Sequence, residues 1–138
     1  DDFNFGTSHM TAALIRRVVE RQNPLEVWGT GEDVRDLIFI DDLIDGIIVA
    51  FEKTDTYAAV NIANGQGHTV KEVLQTIMDV DGFSDVEVRF DPSKPSTIPV
   101  RLIDVTKAER EWGFTSSTGL REGIGKTVDW YRKNPAIS

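Results

Sequence analysis

One short segment constrains the fold of this chain more than any other. Residues 58–63, AAVNIA, carry apolar side chains on both faces of an extended backbone. Strands of a parallel sheet, which helices cover on both sides, have this composition, whereas strands with one solvated face alternate apolar and polar residues. We therefore predict that 58–63 is a buried strand. Few other segments have the composition of its neighbours, so we expect most of that sheet to lie outside these 138 residues.

Helices are predicted where apolar residues recur at helical spacing between suitable capping residues. The predicted ranges are 8–22, 43–53, 69–80, a short helix from 106 up to Gly113, and 119–133. Thr7 or Ser8 is expected to cap the first helix, and Asp41 and Asp42 the second, where their charge suits the positive end of the helix dipole. Because no repeat or long linker divides the chain, we expect one domain over residues 1–138.

The remaining turns and strands follow from local signals. Thr69 and Glu72 fit a capping box at the start of the third helix, and Gly82 fits its end. Strands are predicted at 25–28, 34–40 and 86–90. Because only a short Gly-rich turn separates the first two strands, they are expected to pair as a hairpin. The Pro- and Ser-rich segment 91–99 is predicted to be a loop.

Composition excludes several classes of function. The chain has no cysteine, which removes disulfides, thiolate zinc sites and cysteine nucleophiles, and its two histidines are His9 and His68. The net charge of −8 argues against a general affinity for nucleic acid, because such proteins present basic surfaces. The apolar runs are interrupted by acids well short of a membrane span. We therefore expect a cytoplasmic protein without metal chemistry and without nucleic-acid or membrane partners.

Two glycine-rich turns are candidates for holding phosphate. The turn WGTGEDV, 28–34, joins two predicted strands and has Val34 where a dinucleotide fingerprint needs its third glycine. The turn NGQGHTV, 64–70, lies between a predicted strand and a helix, but Val70 takes the third glycine position and its branched side chain would hold the two elements apart. An ordinary strand-to-helix turn is therefore favoured at 64–70, with direct dinucleotide binding as the weaker alternative.

Four motifs occur in the order and spacing of a known family. They are SHMTAALIRR, EVWGTGEDVRDLIFIDDL, VNIANGQGHTVKEV and FDPSKPSTIPVRLIDVTKAEREWGF. Together they resemble the carboxy-terminal part of the extended short-chain dehydrogenases of the NAD-dependent epimerase/dehydratase family, above all the GDP-L-fucose synthases. The resemblance implies an α/β chain that combines a partial Rossmann-type element with a small α+β substrate-binding lobe. The Rossmann half, with its glycine fingerprint and tyrosine–lysine pair, would be absent. NADP or NAD would be bound mainly by that half, and no cofactor is expected for this chain alone.

The resemblance also suggests which residues form the site. His9 matches a family histidine that protonates and deprotonates carbons beside a keto group, and an imidazole can do both near neutral pH. Arg35 matches an arginine that meets the phosphates, and Trp28 a tryptophan that contacts the nucleotide sugar. Lys94 is similar to a lysine in the loop that closes over the nucleotide. Arg17 can share one side of the helix with His9, where its guanidinium could grip a pyrophosphate.

Structural roles compete with these assignments. His9 could simply cap or pack at a helix start, Trp28 could be a core aromatic, and Lys94 could be a solvated surface residue; Arg16 is expected to be solvated. The family loop commonly reads SKPDGTPRK, whereas this chain has SKPSTIPVR and keeps Lys94 and Arg101. GDP is therefore the first choice of nucleotide, while the contacts to base or sugar are expected to differ.

Two functions of different class follow. In the first, the chain is the nucleotide-sugar-binding lobe of an NAD(P)-dependent epimerase/reductase, active only when joined to its Rossmann half. In the second, it is a free-standing, non-catalytic module that binds a nucleotide sugar or a protein. Under either interpretation we expect an exposed apolar patch, and hence self-association or docking onto a Rossmann half.

Overall fold

Within the residues described, the chain forms five helices and two small sheets. A computed structural model describes residues 3, 9–94 and 98–134. The helices are α1 (Met10–Val19), α2 (Ile40–Lys53), α3 (Val70–Asp81), α4 (Thr106–Trp112) and α5 (Leu120–Lys133). The strands are β1 (Leu25–Trp28), β2 (Val34–Asp36), β3 (Gly67–Thr69), β4 (Val88–Asp91) and β5 (Val100–Arg101). This mixture of helices and parallel strands confirms the predicted α/β class.

All five predicted helices are present, although α1 is shorter than predicted. It ends at Val19 rather than near residue 22, because Arg21 adopts a left-handed backbone with φ of 59°. His9 occupies the position that caps the start of α1, with an extended backbone, and its carbonyl accepts a hydrogen bond from the amide of Ala13 at 3.0 Å. The predicted caps Thr7 and Ser8 lie outside the described residues.

The start of α2 differs from the prediction. The helix begins at Ile40 with Phe39 as its cap, so the prediction that Asp41 and Asp42 cap it is wrong. Asp42 is buried in the first turn and its carboxylate accepts five hydrogen bonds, of 2.6–3.2 Å, from segment 116–118. Burial alone would raise the pKa of Asp42, but these hydrogen bonds outweigh it and lower the pKa to about 2. Asp42 therefore ties α2 to the loop before α5.

The capping box of α3 is confirmed. The Thr69 hydroxyl accepts a hydrogen bond from the amide of Glu72 at 3.1 Å, and the Glu72 carboxylate accepts one from the amide of Thr69 at 2.7 Å. Hydrogen bonds from the Thr69 backbone, which is the largest cause, and from the Thr69 side chain lower the pKa of the Glu72 carboxyl. At the other end Gly82 adopts a φ of 74°, as predicted for a glycine that ends a helix.

The predicted hairpin of β1 and β2 is wrong. β1 pairs in parallel with β4, whereas β2 lies in the other sheet, between antiparallel β3 and parallel β5. The turn between β1 and β2 therefore carries the chain from one sheet to the other. Its glycines at 29 and 31 have φ values of 80° and 81°.

The predicted buried strand at 58–63 is not a strand in this structure. Ala58, Ala59 and Asn61 are exposed, although Ala63 is buried. A strand needs a neighbouring strand to accept and donate its backbone hydrogen bonds. Among the described residues, no strand pairs with this segment. The segment instead lies against α2. A Cβ built on Gly46 of that helix would be 2.5 Å from the Ile62 side chain.

The core lies between α1, α3, α5 and the inner side chains of β1. Its most deeply buried residues are Ile15, Val18, Leu25, Val27, Val73, Ile77 and Val128. At one edge the buried carboxylate of Asp81, the last residue of α3, pairs with Arg21 after α1 and with Arg132 on α5. A buried carboxylate without partners would be strongly destabilising, so these two arginines also fix how the three helices meet.

Helix α2 leaves an apolar stripe in contact with solvent. The stripe consists of Ile40, Ile44, Ile47, Ile48 and Phe51, whose exposed fractions run from 47% for Ile44 to 87% for Phe51. These positions recur at helical spacing on one side, while Asp42 and Gly46 face inward. The sequence predicts an exposed apolar patch from segment 58–63, whereas the exposed patch described here lies on α2. Among the described residues, no helix has the length and apolar character needed to cross a bilayer.

Candidate functional site

A cavity of about 280 Å³ opens beside α1, β1 and the start of β2. Its walls include the predicted binding residues Arg17, Trp28 and Arg35. The other lining residues are Met10, Ala13, Leu14, Val27, Asp33 and Val70. We call it the Arg17–Arg35 cavity. It brings together three side chains that stand on three different elements.

Arg17 reaches the cavity from the last turn of α1. Its Nη1 donates a hydrogen bond to the carbonyl of Glu26, on β1, at 2.8 Å, which orients the guanidinium along the cavity wall. Burial lowers the pKa of Arg17, and the nearby charge of Glu26 partly offsets that effect. An arginine remains protonated under such conditions. Arg17 therefore supplies a partly desolvated positive charge.

Arg35 lies in the middle strand of its sheet and is held by three hydrogen bonds. Its Nη1 donates to the carbonyls of Val34 and Ile98, both at 2.8 Å, and its Nη2 donates to the carboxylate of Asp33 at 3.0 Å. The guanidinium is consequently part of the wall as well as a candidate ligand group. Much of its donor capacity is committed to the protein itself.

Trp28 and Lys94 form the rim of the cavity. Along β1 the side chains alternate between buried and exposed, and this pattern turns Trp28 outward, where 62% of its surface is exposed. The alternative interpretation of Trp28 as a core aromatic is therefore wrong. The ammonium of Lys94 lies 5.7 Å from the centre of a Trp28 ring, within the range of a cation–π contact. Lys94 is thus beside the cavity rather than in it.

His9 stands at the edge of this group. It is exposed and directly precedes Met10, which lines the cavity, on the same helix that carries Arg17. The structure therefore places His9 near the cavity but not among its lining residues. It caps the helix through its backbone, which is one of the two interpretations drawn from the sequence.

Sequence reasoning missed Asp33, whose carboxylate lines the cavity and pairs with Arg35. Side chains two residues apart in an extended segment share a face, so the spacing of Asp33 and Arg35 was a usable signal. Two further residues flank Arg35 in the sheet register, His68 on β3 and Arg101 on β5. His68 was expected to lie in a loop, and that expectation is wrong.

The start of α3 holds the turn that carries Asp33. The amides of Val70 and Lys71 donate to the carbonyls of Asp33 and Gly31, at 2.9 and 3.0 Å. A Cβ at Gly31 would come within 2.5 Å of the Phe90 ring, so the turn is packed closely there. The first amides of α3 are therefore used to fix the cavity wall, and they are not free to bind an anion.

The glycine-rich segment 64–67 does not fit a dinucleotide. The carboxylate of Asp36 accepts hydrogen bonds from the amides of Asn64 and Gly65, at 3.0 and 2.9 Å. A pyrophosphate placed there would meet this carboxylate instead of free amides. The segment also leads into β3 rather than directly into a helix, so the expected strand-to-helix turn is wrong.

Arg16 differs from its prediction. Instead of being solvated, it is half-buried, with Nη1 donating to the carbonyl of Phe3 and Nε to Glu20, both at 2.9 Å. It lies on the other side of α1 from the cavity and is not one of its lining residues. The two neighbouring arginines of α1 therefore have different roles.

Comparison with known proteins finds that this chain is similar to a part of several longer proteins. Residues 2–63 match the model of the NAD dependent epimerase/dehydratase family. GDP-L-fucose synthase 1 of Arabidopsis thaliana is 34% identical over 138 residues, covering 97% of this chain and 42% of that protein. GDP-L-fucose synthase of Escherichia coli (strain K12) is 33% identical over 147 residues, covering 97% of this chain and 45% of that protein.

A solved structure agrees with these relatives. The UDP-glucose 4-epimerase of Thermotoga maritima, in complex with UDP-glucose, superposes with a TM-score of 0.83 at 28% identity, over 95% of this chain and 41% of that one. The fold is thus that of a part of the Rossmann-like sugar-nucleotide epimerases. These matches support a partial fragment of the NAD dependent epimerase/dehydratase family, and the chain spans about two fifths of the length of the curated relatives it matches.

Proposed function

We propose that this chain is the nucleotide-sugar-binding lobe of an NAD(P)-dependent sugar-nucleotide epimerase/reductase of the GDP-L-fucose synthase type. The observation that carries the proposal is the convergence of Arg17, Trp28 and Arg35 on one cavity. Two guanidinium groups and an exposed indole are a suitable set for a ligand with a diphosphate beside flat or apolar rings. Two relatives are GDP-L-fucose synthases and one similar structure holds UDP-glucose, which supports a sugar nucleotide as the ligand.

In this proposal each residue has a distinct task. Arg17 and Arg35 bind the diphosphate, and Trp28 provides the exposed surface against which the nucleotide sugar lies. Lys94, held near the Trp28 ring, covers the nucleotide from the rim. The row of Arg101, Arg35 and His68 across the small sheet adds positive or protonatable groups next to the phosphates. This local concentration explains how a chain with a net charge of −8 can hold an anion.

His9 is proposed as the proton-transfer group of the parent enzyme. Its exposed position at the start of α1, next to Met10 of the cavity wall, allows an imidazole to meet a sugar whose diphosphate is held by Arg17. A neutral imidazole can take a proton from a carbon beside a keto group and return one to it. This role needs the sugar ring to extend from the cavity toward the first residue of the helix.

The dinucleotide is proposed to bind outside this chain. The segment that most resembled a fingerprint is closed by Asp36, and the family whose model matches residues 2–63 is NAD dependent. When bound by the rest of the parent protein, such a cofactor supplies hydride chemistry. The isolated chain is therefore proposed to bind the sugar nucleotide without converting it.

A second candidate is a non-catalytic module that binds a nucleotide sugar or a protein. The exposed apolar stripe of α2 favours protein binding, because single soluble domains rarely leave five large apolar side chains together in solvent. The two candidates differ in catalysis. A parent protein that converts GDP-sugars and loses that conversion on His9→Ala would favour the first, and retention of full activity would remove His9 from the proposal.

Calorimetric titration with GDP tests the binding function directly. We expect GDP to bind the chain and NADPH not to bind. Arg35→Ala should weaken GDP binding at least tenfold, about 1.4 kcal/mol, because a charged contact is lost. Arg110→Ala serves as the control, since Arg110 is exposed on α4 and pairs with its neighbour Glu111. An unchanged GDP affinity in Arg35→Ala would contradict the proposal, and so would NADPH binding tighter than GDP.

A further inference from the structure

Asp33 is a cavity-wall residue whose charge opposes the ligand, and its interpretation rests on the diphosphate function proposed above. Two backbone carbonyls hold Nη1 of Arg35, so the position of the guanidinium does not depend on Asp33 alone. The carboxylate of Asp33 takes a further donor, Nη2, at 3.0 Å. Both side chains are about one fifth exposed, which leaves this ion pair partly shielded from water.

A carboxylate and a phosphate are alternative partners for the same guanidinium. Both present two oxygens that accept paired, charge-assisted hydrogen bonds from the planar fork of an arginine. We propose that Asp33 is an internal anion that stands in for a phosphate oxygen at Arg35, so that a diphosphate enters by exchange with Asp33 and binds with an affinity that Asp33 limits.

The charges of the cavity make this exchange costly. Arg17 and Arg35 contribute two positive charges, and Asp33 offsets one of them at the wall where the diphosphate must lie. In a partly desolvated site, a negative charge within a few ångströms of a phosphate repels it by far more than it would in water. Removal of the Asp33 charge should therefore tighten the binding of any diphosphate, whatever base or sugar it carries.

The structure also predicts that a substitution at Asp33 stays local. The backbone of Asp33 is held separately, because its carbonyl accepts a hydrogen bond from the amide of Val70 at 2.9 Å. In Asp33→Asn the amide oxygen can still accept from Nη2 of Arg35. The variant therefore removes the charge while it keeps the hydrogen bond and the turn.

The matched control is Glu32→Gln, which removes the same unit of charge one residue away. Glu32 is largely exposed and pairs with Lys71 instead of Arg35.

We would measure the affinities of wild type, Asp33→Asn and Glu32→Gln for GDP and for inorganic pyrophosphate by calorimetry at low salt. Asp33→Asn is expected to bind both ligands at least fivefold more tightly than wild type, with Glu32→Gln within twofold. Circular dichroism and thermal melting would verify that the variants are folded. If Asp33→Asn were not folded, Asp33→Ser would replace it in the measurements.

The outcomes separate this inference from the proposed function. Wild type that binds GDP, with Asp33→Asn equal to it or weaker, would overturn the inference and leave the diphosphate function standing. Tighter pyrophosphate binding by Asp33→Asn, without GDP binding by any of the proteins, would support the inference and contradict the proposed ligand. Failure of all the proteins to bind either ligand would overturn both.

Discussion

At the scale of single residues, Asp42 is the carboxylate whose ionisation contributes most clearly to stability. Its five hydrogen bonds come from the segment before α5, so they form only in the folded chain. A pKa of about 2, well below the usual range of aspartate, means that folding favours the ionised form. The resulting stabilisation is fully present above about pH 4 and is lost as the pH falls toward 2.

This linkage gives a prediction for Asp42→Asn. The variant should lose about 2 kcal/mol of unfolding free energy at pH 7, because the ionised acceptor is gone and an amide group faces the donors of 116–118. Its stability should then fall less than that of wild type between pH 7 and pH 3. Urea unfolding at the two pH values would measure both effects, with the exposed Asp41→Asn as the control. Equal pH dependence in wild type and Asp42→Asn would contradict the assignment.

Residue by residue, the sequence predicted the members of the site better than their partners. The resemblance pointed to Trp28 and Arg35, helical spacing pointed to Arg17, and all three line one cavity. What holds Arg35 could not be predicted, because one of its acceptors is the carbonyl of Ile98, 63 residues further along the chain. Contacts of that kind depend on which strands meet, and that is not a local property of the sequence.

At the scale of elements, local signals located the helices and most of the strands, but they did not predict which strands pair. Helix α3 begins at its capping box and ends at Gly82 because each signal acts within one turn. The pairing of β1 with β4 joins residues 63 apart, as in Leu25 with Val88, and no local signal specified it. Short chain distance favoured a hairpin of β1 and β2, but β1 pairs with β4, and β2 pairs with β3 and β5.

The segment 58–63 shows the limit of a composition argument. Its apolar residues indicated burial on both faces, yet three of its six side chains are exposed here. Apolar composition indicates that side chains tend to be buried. Formation of a strand also requires a neighbouring strand whose backbone groups are free to form hydrogen bonds. The segment therefore lies beside α2 without forming a strand among the described residues.

At the scale of the whole molecule, the α2 stripe predicts self-association of the isolated chain. The five side chains of the stripe are large, apolar and 47–87% exposed, and soluble monomers rarely leave such a set together in solvent. The occupant we expect is a second copy, because two such stripes can cover each other in an antiparallel pair of α2 helices. Such an isologous pair closes as a dimer.

Sedimentation of Ile47→Asp tests this prediction. Ile47 is 54% exposed, so the substitution should leave the monomer folded while it places a charge in the centre of the stripe. We expect wild type to dimerise with increasing concentration, Ile47→Asp to remain monomeric, and Tyr57→Ser, which removes an exposed aromatic outside α2, to behave as wild type. A wild-type chain that stays monomeric at high concentration would contradict the prediction, as would dimerisation that Ile47→Asp does not change.

The proposed function divides the ligands of the parent enzyme between two parts, with the sugar nucleotide bound by this chain and the dinucleotide bound elsewhere. The Arg17–Arg35 cavity supplies arginines and an indole, and the amides of the segment most like a dinucleotide fingerprint are hydrogen-bonded to a carboxylate. The chain spans about two fifths of the length of the curated relatives it matches.

The most direct test uses the three tryptophans as internal reporters. Trp28 stands at the Arg17–Arg35 cavity, Trp112 ends α4, and Trp130 lies on α5 beside a different groove. The indole N–H signals of the ¹⁵N-labelled chain would be followed by NMR as GDP is added. We predict a saturable shift of the Trp28 signal, with those of Trp112 and Trp130 unchanged. A Trp28 signal that stays fixed while GDP shifts another indole, or none, would contradict GDP binding at the Arg17–Arg35 cavity.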